Sequence, residues 1–100
     1  MRTVPKHELV DRIARRTGTK NGTVKAVVQN FLDEIIAELA LNNRLEFRDF
    51  GVFEPRLRQA RTAQNPKTLE RVHVPAKRTV KFKMGRMMRK RLDDGVITRG

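Results

Sequence analysis

Between residues 55 and 92 the chain carries thirteen Lys and Arg side chains and a single acidic one, Glu70. No nucleophile–base pair, catalytic carboxylate pair or phosphate-cradling glycine loop accompanies them, so an enzyme is not expected. The chemistry open to such a segment is ionic. A line of cations neutralises a polyanion: DNA, RNA or an anionic membrane. The rest of the chain is nearly balanced. Residues 1–54 hold nine basic and eight acidic side chains, and residues 93–100 hold Asp93, Asp94 and Arg99. The whole excess of +12 therefore lies in one 38-residue segment. The first half reads as a scaffold and the second as a polyanion-binding element.

Within the basic segment, Arg56 and Arg58 alternate with Leu57 and Gln59, the period of a strand with both arginines on one face. Arg71-Val72-His73-Val74 and Thr79-Val80-Lys81-Phe82-Lys83 read as returning strands. A long hairpin turning near Asn65-Pro66 results. Poor in large apolar residues, it cannot bury itself and should project as an arm, which alone is marginal in water. Pro66 has two readings. Asn-Pro is a common turn dipeptide. A rigid apolar ring at a protruding tip is also suited to wedging between base pairs.

The elements that must carry this arm come from the first half. Thr3 as N-cap and Pro5 in the first turn predict a helix start. Leu9, Val10, Ile13 and Ala14 continue it, and Gly18 stops it. A second helix is predicted over roughly 20–42, ended by Asn42-Asn43. Its apolar stripe (Val24, Val27, Val28, Phe31, Leu32, Ile35, Ile36, Leu39) is wider than one short helix covers, so part of it is expected to be a dimer seam. Leu45, Phe47 and Val52 then suggest strands, with Gly51 as the tight turn. Phe47, Phe50 and Phe53, with Phe31 and Phe82, are expected at the centre of a core rather than stacked on bases. Residues 84–92 are expected to form a short closing helix, with Met84, Met87, Met88 and Leu92 over the core. The tail DDGVITRG is expected to be disordered.

Composition sets further bounds. One hundred residues suggest one domain, small enough that oligomerisation would help stabilise it. There is no cysteine, which removes disulfides and thiol chemistry. His7 and His73 lie far apart, so no metal site and no cofactor are expected. No apolar run approaches the ~20 residues of a membrane span, and MRTVPKHELVDR lacks a signal-peptide apolar stretch. An intracellular, soluble protein is expected.

Three local stretches, in this order of elements, resemble the bacterial HU / integration host factor family of DNA-bending proteins over about residues 4–92. They are Phe50-Gly51-Val52-Phe53, the arm-tip stretch Arg61-Thr62-Ala63-Gln64-Asn65-Pro66-Lys67-Thr68, and Pro75-Ala76-Lys77-Arg78-Thr79-Val80-Lys81-Phe82 followed by Gly85. The resemblance implies an α+β fold: an intertwined dimer with an N-terminal helical pair, a small antiparallel sheet with an extended basic β-hairpin arm, and a short C-terminal helix. The body would be residues 1–54 and 75–92, and the arm about 55–74. Arms of this family enter the minor groove, and a tip proline kinks the duplex; HU and integration host factor are standard examples of that device.

Carried over, the intercalating residue is Pro66, with Asn65 beside it. Arg56, Arg58, Arg61, Lys67 and Arg71 would contact groove and phosphates. Lys77, Lys81, Lys83 and Arg86 would line the body under the DNA. Phe31, Leu39, Phe47, Phe50 and Phe82 would form the core or dimer interface. The partners implied are double-stranded DNA and a second subunit, identical or related; no membrane or small-molecule substrate is implied. A cytoplasmic, nucleoid-associated location follows. The chain departs from the family at Ala63 and Leu69, where the tip usually carries glycine, a residue free to adopt turn conformations that alanine and leucine resist.

The leading reading is an architectural protein that bends DNA with low sequence preference and organises the nucleoid. A site-specific bending factor of the integration host factor type is the alternative within the family. An RNA-binding or ribosome-associated protein fits the charge, but there is no Trp or Tyr for base stacking. A protein-interaction module does not explain charge concentrated in one segment.

Overall fold

A computed structural model of the chain describes residues 1–96. The chain divides into two compact units, Met1–Ala37 and Glu38–Gly100.

In the first unit, helix α1 spans Lys6–Thr17, and helix α2, Asn21–Ala40, begins. The start of α1 differs from expectation. Pro5, not Thr3, is the N-cap residue; its extended backbone lets its carbonyl accept the Glu8 N–H, and no side chain caps the helix. Gly18 ends α1 in a left-handed conformation (φ 65°), its N–H bonded to the Ala14 carbonyl. Val10, Ala14 and Val24 are the buried apolar residues of this unit, with Val28 packed against them. The α2 stripe therefore divides. Val24 and Val28 turn inward, while Val27, Phe31 and Ile36 stay exposed.

The second unit starts with the last turn of α2. Asn42 closes it with a left-handed φ of 67° and an N–H bonded to the Leu39 carbonyl. Strand β1, Leu45–Phe47, leads through a turn to β2, Gly51–Arg58, which pairs with β5, Lys77–Met84. The order β1-β2-β5 is antiparallel throughout. The turn is centred one step earlier than the sequence suggests. Asp49, not Gly51, takes the left-handed φ, at 65°. Gly51 serves close packing instead: a Cβ there would lie 2.5 Å from Phe82 Cζ and 2.7 Å from the Lys83 carbonyl oxygen.

Strands β3, Arg61–Gln64, and β4, Arg71–Val74, form a separate two-stranded sheet. The hairpin is thus interrupted at Gln59-Ala60 and Pro75-Ala76 rather than continuous to Arg61, consistent with proline having no N–H for the ladder. Helix α3 runs Arg86–Val96. Met84, placed in this helix by its apolar spacing, instead ends β5, because Gly85 and Met87 donate backbone bonds to Phe50 and Asp49 and fix the helix start there. At its other end, α3 carries Asp93 and Asp94, so the expectation of a disordered tail fails over residues 93–96; residues 97–100 lie outside the described residues. No described helix is long and apolar enough to cross a membrane.

Candidate nucleic-acid interface

The β2–β5 register sorts the side chains into two faces. Phe53 pairs with Phe82, Pro55 with Val80 and Leu57 with Arg78. These positions form one, mostly apolar face. The intervening pairs are Val52 with Lys83, Glu54 with Lys81, Arg56 with Thr79 and Arg58 with Lys77. Because successive side chains alternate across a sheet, Arg56, Arg58, Lys77, Lys81 and Lys83 share the opposite face. Five predicted site residues, distant in sequence, thus make one cationic surface. All five are exposed.

On the apolar face the rings of Phe53 and Phe82 lie with centroids 4.9 Å apart, and Phe50 and Phe82 5.8 Å apart. Phe47 touches both Phe50 and Phe53. Four of the five phenylalanines expected to cluster, Phe47, Phe50, Phe53 and Phe82, are in ring contact, but none is buried within the single chain, where the buried apolar residues are Val10, Ala14 and Val24; Phe47 and Leu39 are half-buried. The cluster is open to solvent: Phe50 is 49% exposed and Phe82 39%. In the other unit, Phe31 on α2 is 52% exposed.

Toward the arm tip the cations separate. Arg61 pairs with Val74, and Arg71 with Gln64, in a register that puts the two arginines on opposite faces of β3–β4. Pro66, Lys67, Thr68 and Leu69 form a loop enclosed by the backbone bond from Asn65 N–H to the Glu70 carbonyl, 2.8 Å. Inside it, the Leu69 N–H donates to the Asn65 carbonyl (2.7 Å) and the Lys67 N–H to Asn65 Oδ1 (2.9 Å). Asn65 therefore organises the turn through both backbone and side chain, and Pro66 opens it at an exposed position. Of the two tip departures, Ala63 is an ordinary strand residue opposite Val72. Leu69 does adopt a left-handed φ of 64°.

Arg86 is the outlying predicted contact. It opens α3 and pairs with Asp49 at 3.6 Å, remaining highly exposed. Two residues given no role from the sequence, Glu54 and Arg78, also shape the site. Glu54 sits within the cationic face, where Arg56 (3.0 Å), Arg44 (3.5 Å) and Lys83 (3.9 Å) surround it. The hydrogen bond from Arg56 is the main influence holding its pKa below the usual carboxylate value, with Lys83 next. Arg78 occupies the other face and donates to the last-turn carbonyls of Leu39 and Ala40, 3.0 Å each. It caps α2, where a cation complements the helix dipole. Period two along β5 signals that Arg78 faces away from Lys77; its α2 partners leave no local signal. No metal-holding group of His, Cys, Asp or Glu occurs among the described residues.

The described residues form an α+β architecture of three helices, a two-faced sheet and a basic hairpin, whose concentrated positive charge suits a polyanion partner. The family described as bacterial DNA-binding protein matches residues 4–93, and the chain belongs to it. Its relatives include a probable DNA-binding protein HU of Chlamydia trachomatis, 37% identical over 93% of this chain and 94% of that protein. The integration host factor subunit beta of Neisseria meningitidis is 42% identical over 88% of this chain and 90% of its own length. Among solved structures, an Anabaena HU–DNA cocrystal matches with a TM-score of 0.79 and 34% identity, over 89% of this chain and 97% of that one. Proteins of this family are non-enzymatic architectural binders of double-stranded DNA that act as dimers. The family assignment decides against the RNA-binding alternative.

Proposed function

We propose that this chain, as one DNA-binding domain of a dimer, bends duplex DNA from the minor groove and organises the nucleoid in the cytoplasm. The body, residues 1–54 and 75–92, lies against the duplex through the face of Arg56, Arg58, Lys77, Lys81 and Lys83. The arm, about 55–74, follows the groove, with Arg61, Lys67 and Arg71 on phosphates and groove edges, and Arg86 extends the path. Asn65 holds Pro66 at the tip, where the ring wedges into a base step and replaces the stacking it disrupts. Phe31, Leu39, Phe47, Phe50 and Phe82 are covered by the partner subunit.

The observation carrying this reading is the position of Pro66, exposed at the outer end of a cationic ribbon. Most contacts are ionic and sequence-blind, so low sequence preference follows. Site preference of the integration host factor kind is the second reading. The 42% identity to such a subunit favours it, and DNA deformability rather than base contacts would then supply specificity.

The test is end-to-end energy transfer on a labelled duplex of about 35 base pairs, far shorter than the persistence length of about 150. Wild type should bring the ends together, and Pro66→Ala should bind yet bend much less. Equal bending by both would reduce Pro66 to a turn residue. Binding without bending by wild type would make the protein a coat on straight DNA.

A further inference from the structure

We propose that Leu69 is a second apolar DNA contact at the arm tip, entering the opened base step beside Pro66; this rests on the bending function above. Three non-glycine residues among those described have a left-handed φ: Asn42, Asp49 and Leu69. Asn and Asp tolerate that region because their short polar side chains bond locally. Leucine has no such compensation, and its Cβ crowds the neighbouring carbonyl.

The turn imposes the conformation. The Leu69 N–H is committed to the Asn65 carbonyl at 2.7 Å, and its own carbonyl accepts from Gln64 Nε2 at 3.2 Å. A second observation is independent of the backbone. Leu69 is 68% exposed, so the arm leaves most of it in water. An apolar side chain held in water on a strained backbone is unfavourable twice over in the free protein. Strain of this kind is typical of sites that engage a ligand.

The chemistry of that ligand follows from the loop. Pro66 and Leu69 are its first and last residues, with Lys67 and Thr68 between them. The tip therefore offers two apolar groups flanking a cation. Phosphate satisfies the cation only. In the minor groove, away from the thymine methyls of the major groove, the broadest apolar surface DNA can offer is the face of a base exposed when a step is unstacked, which minor-groove benders open with apolar wedges. Leu69 enlarges that wedge.

Leu69→Asn and Leu69→Gly test this, because both residues accept a left-handed φ and the hairpin should form at least as well. Binding is read by anisotropy over a salt series, and bending by end-to-end energy transfer. Both variants are expected to keep the wild-type salt slope, bind about tenfold more weakly (about 1.4 kcal/mol) and bend less, while Leu69→Met retains bending. Wild-type affinity and bending in Leu69→Asn and Leu69→Gly would overturn the proposal. If wild type bends, Pro66→Ala does not, and Leu69→Asn still does, the Leu69 assignment alone fails. If wild type does not bend, the Leu69 assignment falls with the bending function.

Discussion

Arg56 Nη2 donates to Glu54 Oε2 at 3.0 Å, from two positions further along the same strand. The two side chains share the cationic face, so on the DNA path proposed above the pair sets a carboxylate among the phosphate-binding cations. Glu54 also lies within 3.9 Å of Lys83 and 3.5 Å of Arg44. Its lowered pKa means that the pairing is complete above the ordinary carboxylate range and is lost only as pH falls through that lowered value. Glu54→Gln should free these cations at neutral pH. Exposed pairs are individually weak, so DNA affinity should rise roughly twofold to fivefold, with a steeper salt dependence of about −0.9 in log–log slope per phosphate gained. Anisotropy titrations at several salt concentrations check this; unchanged affinity and slope would mean that Glu54 does not compete.

Neighbouring cations Lys77 and Arg78 should behave differently. Lys77 lies on the cationic face opposite Arg58, while Arg78 caps α2. Lys77→Ala should flatten the salt slope by about 0.9 and leave thermal stability near wild type. Arg78→Ala should instead lower stability by roughly 0.3–1 kcal/mol, the usual worth of a cation at a helix C-terminus, with the slope retained. Paired melting and binding curves decide; the reverse pattern would refute the assignment of faces.

Gly51→Ala should be strongly destabilising. Its Cβ would overlap the Phe82 ring and the Lys83 carbonyl, and a backbone oxygen cannot move aside as a flexible side chain can. Overpacking of this kind costs roughly 1–3 kcal/mol, visible as a fall in melting temperature. An unaltered melt would mean that β2 and β5 separate more freely than the structure implies.

Phe50→Asp probes the subunit contact. Half exposed in a single chain, a charge there would keep much of its hydration. Beneath a partner subunit it would be buried and unpaired, at a prohibitive cost. Self-association should weaken at least about a hundredfold, which equals about 2.8 kcal/mol. Sedimentation of mutant and wild type measures it; an intact mutant dimer would show that Phe50 lies outside the interface.

Much of this architecture was legible because it is local. Helical spacing of apolar residues marked α1 and α2, and period two marked β2 and β5. Gly18 and Asn42 stopped the helices where expected. Legibility failed where a distant strand decided the outcome. Gly51 looked like a turn residue, yet its role is set by Phe82, thirty-one positions away. Met84 had helical spacing with Met87 and Met88, but its pairing with Gly51 makes it strand.

The sequence by itself determined the polyanion partner, since a net +12 confined to residues 55–92 follows from composition and order alone. It also determined the family, through the Asn65-Pro66 tip and its flanking stretches. Only the tertiary structure decided which cations lie together on one face. Antiparallel pairing brings Arg56 and Arg58 beside Lys77, Lys81 and Lys83, turns Arg78 away, and sets Glu54 among them. It also decided that Leu69 takes a left-handed φ at the tip. The physical reason is the same in each case. Charge and periodicity belong to the chain, whereas register and loop closure come from hydrogen bonds between segments far apart in it.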